Sequence, residues 1–158
     1  MNETYFFSGI FPSCPAIVQM MPTKGFVRVG YAFAEYEAAR HAIKQAFAQG
    51  NWDGYGALPI GEETKNNALG VLNYLETATN APEVTLNPNG TLSFEWDTSQ
   101  GCGQLEIGRT RYSFYVQPKG GLPYIDEGEV GEVKPLVGWL VDAVLYPKPS
   151  SPVTARAR

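Results

Sequence analysis

Apolar residues recur at helical spacing in two stretches of the first half of the chain. Residues 32–49 place Tyr36, Ile43 and Phe47 on one stripe, and residues 62–79 carry a run of apolar residues that includes Leu72. A period near 3.6 residues is typical of amphipathic helices with one face toward a core. Gly50 follows the first stretch, and a glycine there predicts a left-handed helix stop.

The period changes from helical to two after residue 82. Residues 91–97 alternate, and residues 104–107 and 111–117 repeat that alternation. Successive side chains on a strand point to opposite faces, so this pattern predicts strands with one buried and one solvated face. The turn 87–90, with proline second and glycine fourth, predicts a tight connection between two of them.

The remaining segments are predicted from shorter patterns. Residues 4–10 form a short apolar run and residues 25–31 alternate, and both segments predict strands. Residues 118–128 are rich in glycine and proline and predict a loop, whereas residues 134–146 predict a last helix with proline in its first turn.

These elements together predict an α+β fold. We expect an antiparallel β-meander with about three helices packed mainly on one face. We expect a single domain over residues 1–146 and a disordered tail over residues 147–158, where prolines, small polar residues and arginines accumulate.

Composition and charge narrow the functional classes. The chain has 158 residues and a net charge of −4, which argues against general nucleic-acid binding, because that affinity comes from a basic surface. No basic start and apolar core of a secretory leader and no membrane-length apolar run are present. The two cysteines, Cys14 and Cys102, are expected to be reduced thiols, and the protein is expected to be cytoplasmic and to bind no membrane.

Candidate catalytic residues are few. His41 lies one turn after Glu37, but a metal site needs three or four ligands. Cys102 lies between two glycines and could pair with His41 as nucleophile and base, although an activating environment is not evident. We therefore expect no catalytic residue, no metal and no cofactor.

Three carboxylates on the strands give the enzymatic alternative. They are Glu95, Asp97 and Glu106, which share the predicted polar face of two neighbouring strands. Paired carboxylates can hydrolyse glycosidic bonds or hold Mg²⁺. The polar face of a half-solvated sheet explains the same residues more simply, and that interpretation is favoured.

The segment Asn51-Trp52-Asp53-Gly54-Tyr55-Gly56-Ala57, here called the aromatic corner, is the most unusual part of the sequence. Its glycines permit positive φ, and its two rings favour burial. We expect the corner to be architectural, with Trp52 buried and Asp53 bracing a turn. The alternative is a recognition surface, since aromatic residues dominate binding hot spots.

A second candidate surface is acidic and lies at the end of the predicted loop, over residues 124–129. Complementary charge between partners raises the association rate and specificity, so the acids predict a protein partner with a basic surface. The candidate partner-binding residues of both surfaces are Trp52, Asp53, Tyr55, Tyr124, Asp126, Glu127 and Glu129.

The aromatic corner, the helix after it and the Phe94-Glu95-Trp96 strand resemble a widespread group of small bacterial proteins of uncharacterised activity. The resemblance covers about residues 51–116. Those proteins carry a similar tryptophan–aspartate–glycine corner and a strand ending in glutamate–tryptophan, and they are often encoded in mobile or accessory genome regions. The resemblance implies an antitoxin, an immunity protein or an inhibitor of a host defence complex, such as an anti-CRISPR protein.

The function expected from the sequence is therefore a non-enzymatic protein-binding component that neutralises or inhibits a partner. The first alternative is a small hydrolase or nuclease toxin that uses the strand carboxylates. The second is a nucleic-acid-binding regulator, which the net charge disfavours. The sequence is also compatible with a homodimer.

Overall fold

The computed structural model describes residues 28–46, 49–133 and 135–148. Within these ranges the chain forms α1 (Arg28–Gln45), α2 (Glu62–Leu75), β1 (Glu83–Leu86), β2 (Leu92–Thr98), β3 (Gly101–Ile107), β4 (Arg111–Pro118), β5 (Tyr124–Glu129), a short 3-10 helix η1 (Val130–Glu132) and α3 (Pro135–Leu145).

The five strands form one antiparallel sheet in the order β1-β2-β3-β4-β5, so each strand pairs with its neighbours in sequence. The register places Phe94 of β2 opposite Leu105 of β3, and Leu105 opposite Phe114 of β4. These residues and those two positions away share one face, called here the inner face, because side chains alternate along a strand. The α+β class and the meander are confirmed.

The inner face and the helices contribute to one hydrophobic core. Its largest fully buried side chains are Tyr36, Ile43, Ile60, Leu72, Leu75, Leu92, Phe94, Leu105, Ile107, Val116, Val137 and Leu145. Two core aromatics also fix the connection between α2 and β1. The Tyr36 hydroxyl donates to the carbonyl of Thr79 at 3.0 Å, and the Trp96 indole N–H donates to the carbonyl of Asn80 at 2.9 Å.

The first helix begins earlier than predicted. Residues 28–31 belong to α1, so the strand predicted over residues 25–31 is wrong in the part that the structure describes. A short apolar run fits a strand and a buried helix equally well, and here the helix continues through it. The strand predicted over residues 4–10 lies outside the described residues.

The second helix ends at Leu75, four residues before the predicted end. The Thr77 hydroxyl donates to the carbonyl of Tyr74 at 2.9 Å, and the Thr79 amide donates to the carbonyl of Leu75 at 2.9 Å. Threonine side chains compete with the backbone for such carbonyls. The helix therefore closes in a turn before Pro82.

The fifth strand falls where the sequence predicted a loop. Residues 124–129 pair with β4, although acids and glycine are poor strand formers. Cross-strand contacts compensate: the rings of Phe114 and Tyr124 lie 6.4 Å apart, and the Tyr112 hydroxyl donates to Asp126 Oδ2 at 2.9 Å. Pairing with a preformed neighbour outweighs the weak intrinsic propensity.

The third helix matches its predicted range to within one residue at each end. In the tail predicted to be disordered, only residues 147 and 148 are among the described residues, and the rest lie outside them. None of the helices in the described ranges is both long enough and apolar enough to span a bilayer.

Candidate functional site

The backbone of the aromatic corner is fixed by its own hydrogen bonds. The Asn51 amide donates to the carbonyl of Ala57 at 2.6 Å, and the Asn51 side-chain oxygen accepts from the Gly56 amide at 2.9 Å. Asn51 has a φ of 56°, whereas Gly50 has no positive φ. The left-handed helix stop predicted at Gly50 is wrong, because α1 already ends at Gln45. Asparagine tolerates a positive φ better than most residues do. The corner is therefore closed on itself at both ends.

Asp53 braces the corner from within, as predicted. Its Oδ1 accepts from the amide of Tyr55 at 2.8 Å and from the amide of Ala57 at 3.1 Å. These two backbone donors stabilise the carboxylate and lower the pKa of Asp53 below its ordinary value. The side chain therefore acts in its ionised form, and it holds the backbone on both sides of Tyr55.

Trp52 and Leu58 attach the corner to the sheet. Trp52 is half-buried, and its indole N–H donates to the carbonyl of Leu58 at 3.0 Å. The Leu58 amide in turn donates to the carbonyl of Pro88 at 2.8 Å, in the turn between β1 and β2. Gly90 permits this approach, because a Cβ there would lie 3.0 Å from the carbonyl oxygen of Pro59.

The corner presents apolar side chains to solvent on this rigid frame. Tyr55 is 94% exposed and Leu58 is 56% exposed. Asp53 thus has the bracing role expected from the sequence, whereas Trp52 is only half-buried and not buried as expected, and Tyr55 is almost fully exposed. Leu58 follows the predicted segment directly and was not among the residues predicted from the sequence.

The residues predicted around the acidic segment lie on β5 but not on one face. Tyr124 and Asp126 lie on the inner face, whereas Glu127 and Glu129 are exposed on the other face, called the outer face. The hydrogen bond from Tyr112 engages the Asp126 carboxylate. Burial and this carboxylate raise the pKa of Tyr112 to about 12. Asp126 is therefore a structural acid and not a free surface charge.

Ile125 joins the exposed part of this strand. It shares the outer face with Glu127 and Glu129 and is 49% exposed, while Tyr124 is 42% exposed. Ile125 was not predicted as a candidate from the sequence, because the segment that contains it was interpreted as a loop.

The two groups of candidate residues do not form one continuous site. The corner is bonded to the turn that joins β1 and β2, and β5 is the strand at the opposite edge of the sheet. Adjacent strands lie about 4.8 Å apart, so β1 and β5 are separated by roughly 19 Å. Each group is a separate surface.

The strand carboxylates Glu95, Asp97 and Glu106 share the outer face of β2 and β3, as predicted. Glu95 lies opposite Gln104 in the register, and Glu106 lies opposite Ser93. Glu106 is already engaged, since its Oε1 accepts from the Thr91 hydroxyl at 2.6 Å and from the Asn89 side-chain amide at 3.0 Å. In the described ranges, no group of three or more histidine, cysteine, aspartate or glutamate side chains could hold a metal ion.

Cys102 and His41 are not arranged as a nucleophile and base. His41 is exposed on α1, and Cys102 is buried on the outer face of β3. Cys102 is disulfide-bonded, and the sequence has one other cysteine, Cys14, outside the described residues. The expectation of reduced thiols is therefore wrong for Cys102. A disulfide sulfur has no thiolate with which to attack a substrate.

Comparison of the chain with protein-family models, with curated proteins and with solved structures finds no match. The resemblance to small bacterial proteins with a similar corner thus stays a prediction, as do the roles that it implies.

Proposed function

We propose that this protein is a non-enzymatic protein-binding component that neutralises or inhibits a partner. The observation that supports the proposal is the exposed Tyr55 ring on a backbone held by five hydrogen bonds within the corner. A rigid aromatic side chain loses little conformational entropy on binding, and tyrosine is enriched among binding hot spots.

The corner has the composition of an interface centre. Tyr55 and Leu58 supply apolar area, and the Trp52 indole N–H holds the carbonyl of Leu58. The Asp53 carboxylate adds a negative charge close to the ring, although both of its hydrogen bonds are to the corner's own backbone. A partner with a shallow pocket for the tyrosine ring and a basic rim fits this surface.

Neutralisation or inhibition is the part of the proposal that the resemblance supports. An antitoxin, an immunity protein or an inhibitor of a host defence complex acts by occupying a functional surface on another macromolecule. Such surfaces are frequently basic when the partner handles nucleic acid, and a chain with a net charge of −4 is suited to cover them.

The test is a capture experiment with paired variants. The purified chain is immobilised, lysate of the source organism is passed over it, and retained proteins are identified by mass spectrometry. The matched pair is Tyr55→Ala in the corner and Tyr74→Ala on α2, both at exposed tyrosines. We expect wild type and Tyr74→Ala to retain the same basic protein and Tyr55→Ala to lose it.

Two results would contradict the proposal. The first is that no protein is enriched over unloaded resin. The second is that Tyr55→Ala retains the same protein in the same amount, which would show that the corner does not contact the partner.

A further inference from the structure

Among the described residues, the last strand of the sheet has an open edge. β5 pairs with β4 on one side, and no described strand pairs with its other side. β1, at the opposite edge, is only four residues long, follows Pro82 and is contacted by α1. β5 is longer, and no described helix other than the short η1 adjoins it in sequence. It is the more accessible edge of the two.

The hydrogen-bond pattern shows which residues of β5 point outward. The Val130 amide donates to the carbonyl of Thr110 at 2.8 Å, and residues of an antiparallel pair alternate between bonded and non-bonded positions. The bonded positions on β5 are therefore 128, 126 and 124. The backbone N–H and C=O groups of Ile125, Glu127 and Glu129 point away from β4.

The β3–β4 hairpin gives the same result independently. The Gly108 amide donates to the carbonyl of Arg111 at 2.9 Å, so alternate residues of β4 starting at Arg111 bond to β3. Tyr112, Phe114 and Val116 are then the residues of β4 that bond to β5. Their register partners are the bonded positions derived from Val130.

The three residues whose backbone groups point away from β4 also have exposed side chains, one apolar and two acidic. Ile125, Glu127 and Glu129 present one apolar and two acidic side chains on the outer face, two residues apart. Arg111 lies opposite Glu129 in the register, whereas Glu127 lies opposite the uncharged Ser113. Glu132 adds a carboxylate beside Gly128 on the inner face. The edge is therefore net negative.

This charge argues against a second copy of the chain as the occupant. A symmetric antiparallel pairing centred on Glu127 would place Glu127 opposite its own copy and Ile125 opposite Glu129. Like charges directly opposite each other destabilise a strand pair. The acids protect the edge against self-association, but the same side chains attract a strand with basic residues at alternate positions.

We infer that the open edge of β5 binds an extended segment of a basic protein partner by strand addition. Backbone hydrogen bonds from Ile125, Glu127 and Glu129 hold the segment, and cationic side chains at alternate positions pair with the two acids. An apolar residue two positions further along packs on Ile125. This inference rests on the proposed protein-binding function and gives it a binding mode and a partner chemistry.

The test uses short synthetic peptides and the full chain. The probe has the pattern Val-Thr-Lys-Thr-Lys-Thr-Val, which aligns its lysines with the acids in either strand direction. We expect a dissociation constant of about 1 mM or tighter, with NMR shifts and slowed hydrogen exchange at the amides of residues 125, 127 and 129. Replacing both lysines by glutamate, or N-methylating alternate backbone amides, is expected to abolish the shifts.

Protein variants provide the matched control. Glu127→Lys with Glu129→Lys is expected to bind the lysine peptide about tenfold more weakly and to acquire binding of the glutamate peptide. Glu63→Lys with Glu83→Lys makes the same change in net charge at exposed acids away from β5, and it is expected to bind as wild type does. Equal weakening in both double variants would overturn the inference, because the effect would then follow net charge alone.

Two further outcomes separate this inference from the proposed function. Absence of shifts at residues 125, 127 and 129 with every peptide would overturn strand addition, even if the corner captures a partner. Shifts at these residues that depend on the lysines would support strand addition, even if Tyr55→Ala leaves capture from lysate unchanged.

Discussion

Replacing Trp52 tests whether the corner is a rigid part of the fold. A fully enclosed tryptophan buries about 150–250 Å², which corresponds to about 4–6 kcal/mol at 25 cal/mol per Å². Trp52 is half-buried, so Trp52→Ala is expected to lose about 2–3 kcal/mol of burial energy. Loss of the hydrogen bond to the carbonyl of Leu58 adds about 0.5–1.5 kcal/mol.

We therefore expect Trp52→Ala to lower the free energy of unfolding by about 3 kcal/mol. Trp52→Phe keeps most of the buried ring and loses only the indole N–H and part of the area, so a loss of about 1 kcal/mol is expected. Urea denaturation followed by far-UV circular dichroism measures both values, and this readout does not depend on the removed fluorophore.

The two variants together show whether the Trp52 ring or its hydrogen bond stabilises the fold. A loss below about 1 kcal/mol in Trp52→Ala would show that the ring is not packed in solution. Equal losses in the two variants would show that the hydrogen bond alone matters. Either result would contradict the architectural role assigned to Trp52.

Three other predictions concern the sheet. Gly101→Ala is expected to lower the free energy of unfolding by about 1–3 kcal/mol, because Gly101 has a φ of 150° and an added Cβ would collide with the carbonyl oxygen of Gln117. Gly70→Ala, on the exposed side of α2, is expected to raise it by about 0.5–1 kcal/mol. Equal effects of the two variants in urea denaturation would contradict this prediction. The pKa of Tyr112 is raised from 10.0 to about 12, so between these pH values the folded state retains a proton that the unfolded state releases. The free energy of unfolding is therefore expected to fall as pH rises from about 10 to about 12, and to fall less steeply in Tyr112→Phe. Identical pH profiles of the two proteins in urea denaturation would refute this prediction. The denatured chain is expected to show no free thiol until it is reduced, because Cys102 is disulfide-bonded. Detection of the Cys102 thiol by titration before reduction would contradict this prediction. That result would favour the cytoplasmic location expected from the sequence.

The strands with clean alternation were predictable from the sequence. Leu92, Phe94 and Trp96 all face the core, as the period of two required. Their neighbours on the outer face were expected to be solvated, but Ser93 is fully buried. Its hydroxyl accepts from the side chains of Asn87 and Gln104. The burial of a small residue by longer polar neighbours cannot be predicted from the alternation of apolar and polar residues.

The fifth strand was not predictable from local pattern, because its stability depends on β4. Tyr124 contacts Phe114 and Asp126 accepts from Tyr112, and each contact joins residues at least ten positions apart. A short acidic segment with a glycine has no intrinsic preference for a strand. The missed strand is also the reason that the sequence grouped Asp126 with Glu127 as equivalent surface acids.

The conformation of the aromatic corner was predictable from the sequence only in part. Glycines and an aspartate in close succession indicate a turn, and Asp53 does bond to the backbone two and four residues later. Which of the two rings is packed and which is exposed depends on the position of the β1–β2 turn. Sequence alone did not distinguish Trp52 from Tyr55.

The most direct test of the central claim is the affinity of a captured, purified partner for the chain and for Tyr55→Ala, measured by isothermal titration calorimetry. Removal of a hot-spot tyrosine is expected to weaken binding by at least about 2 kcal/mol, or roughly 30-fold, while circular dichroism shows an unchanged fold because the ring is 94% exposed. An affinity within about twofold of wild type would contradict the claim that the corner is the binding surface.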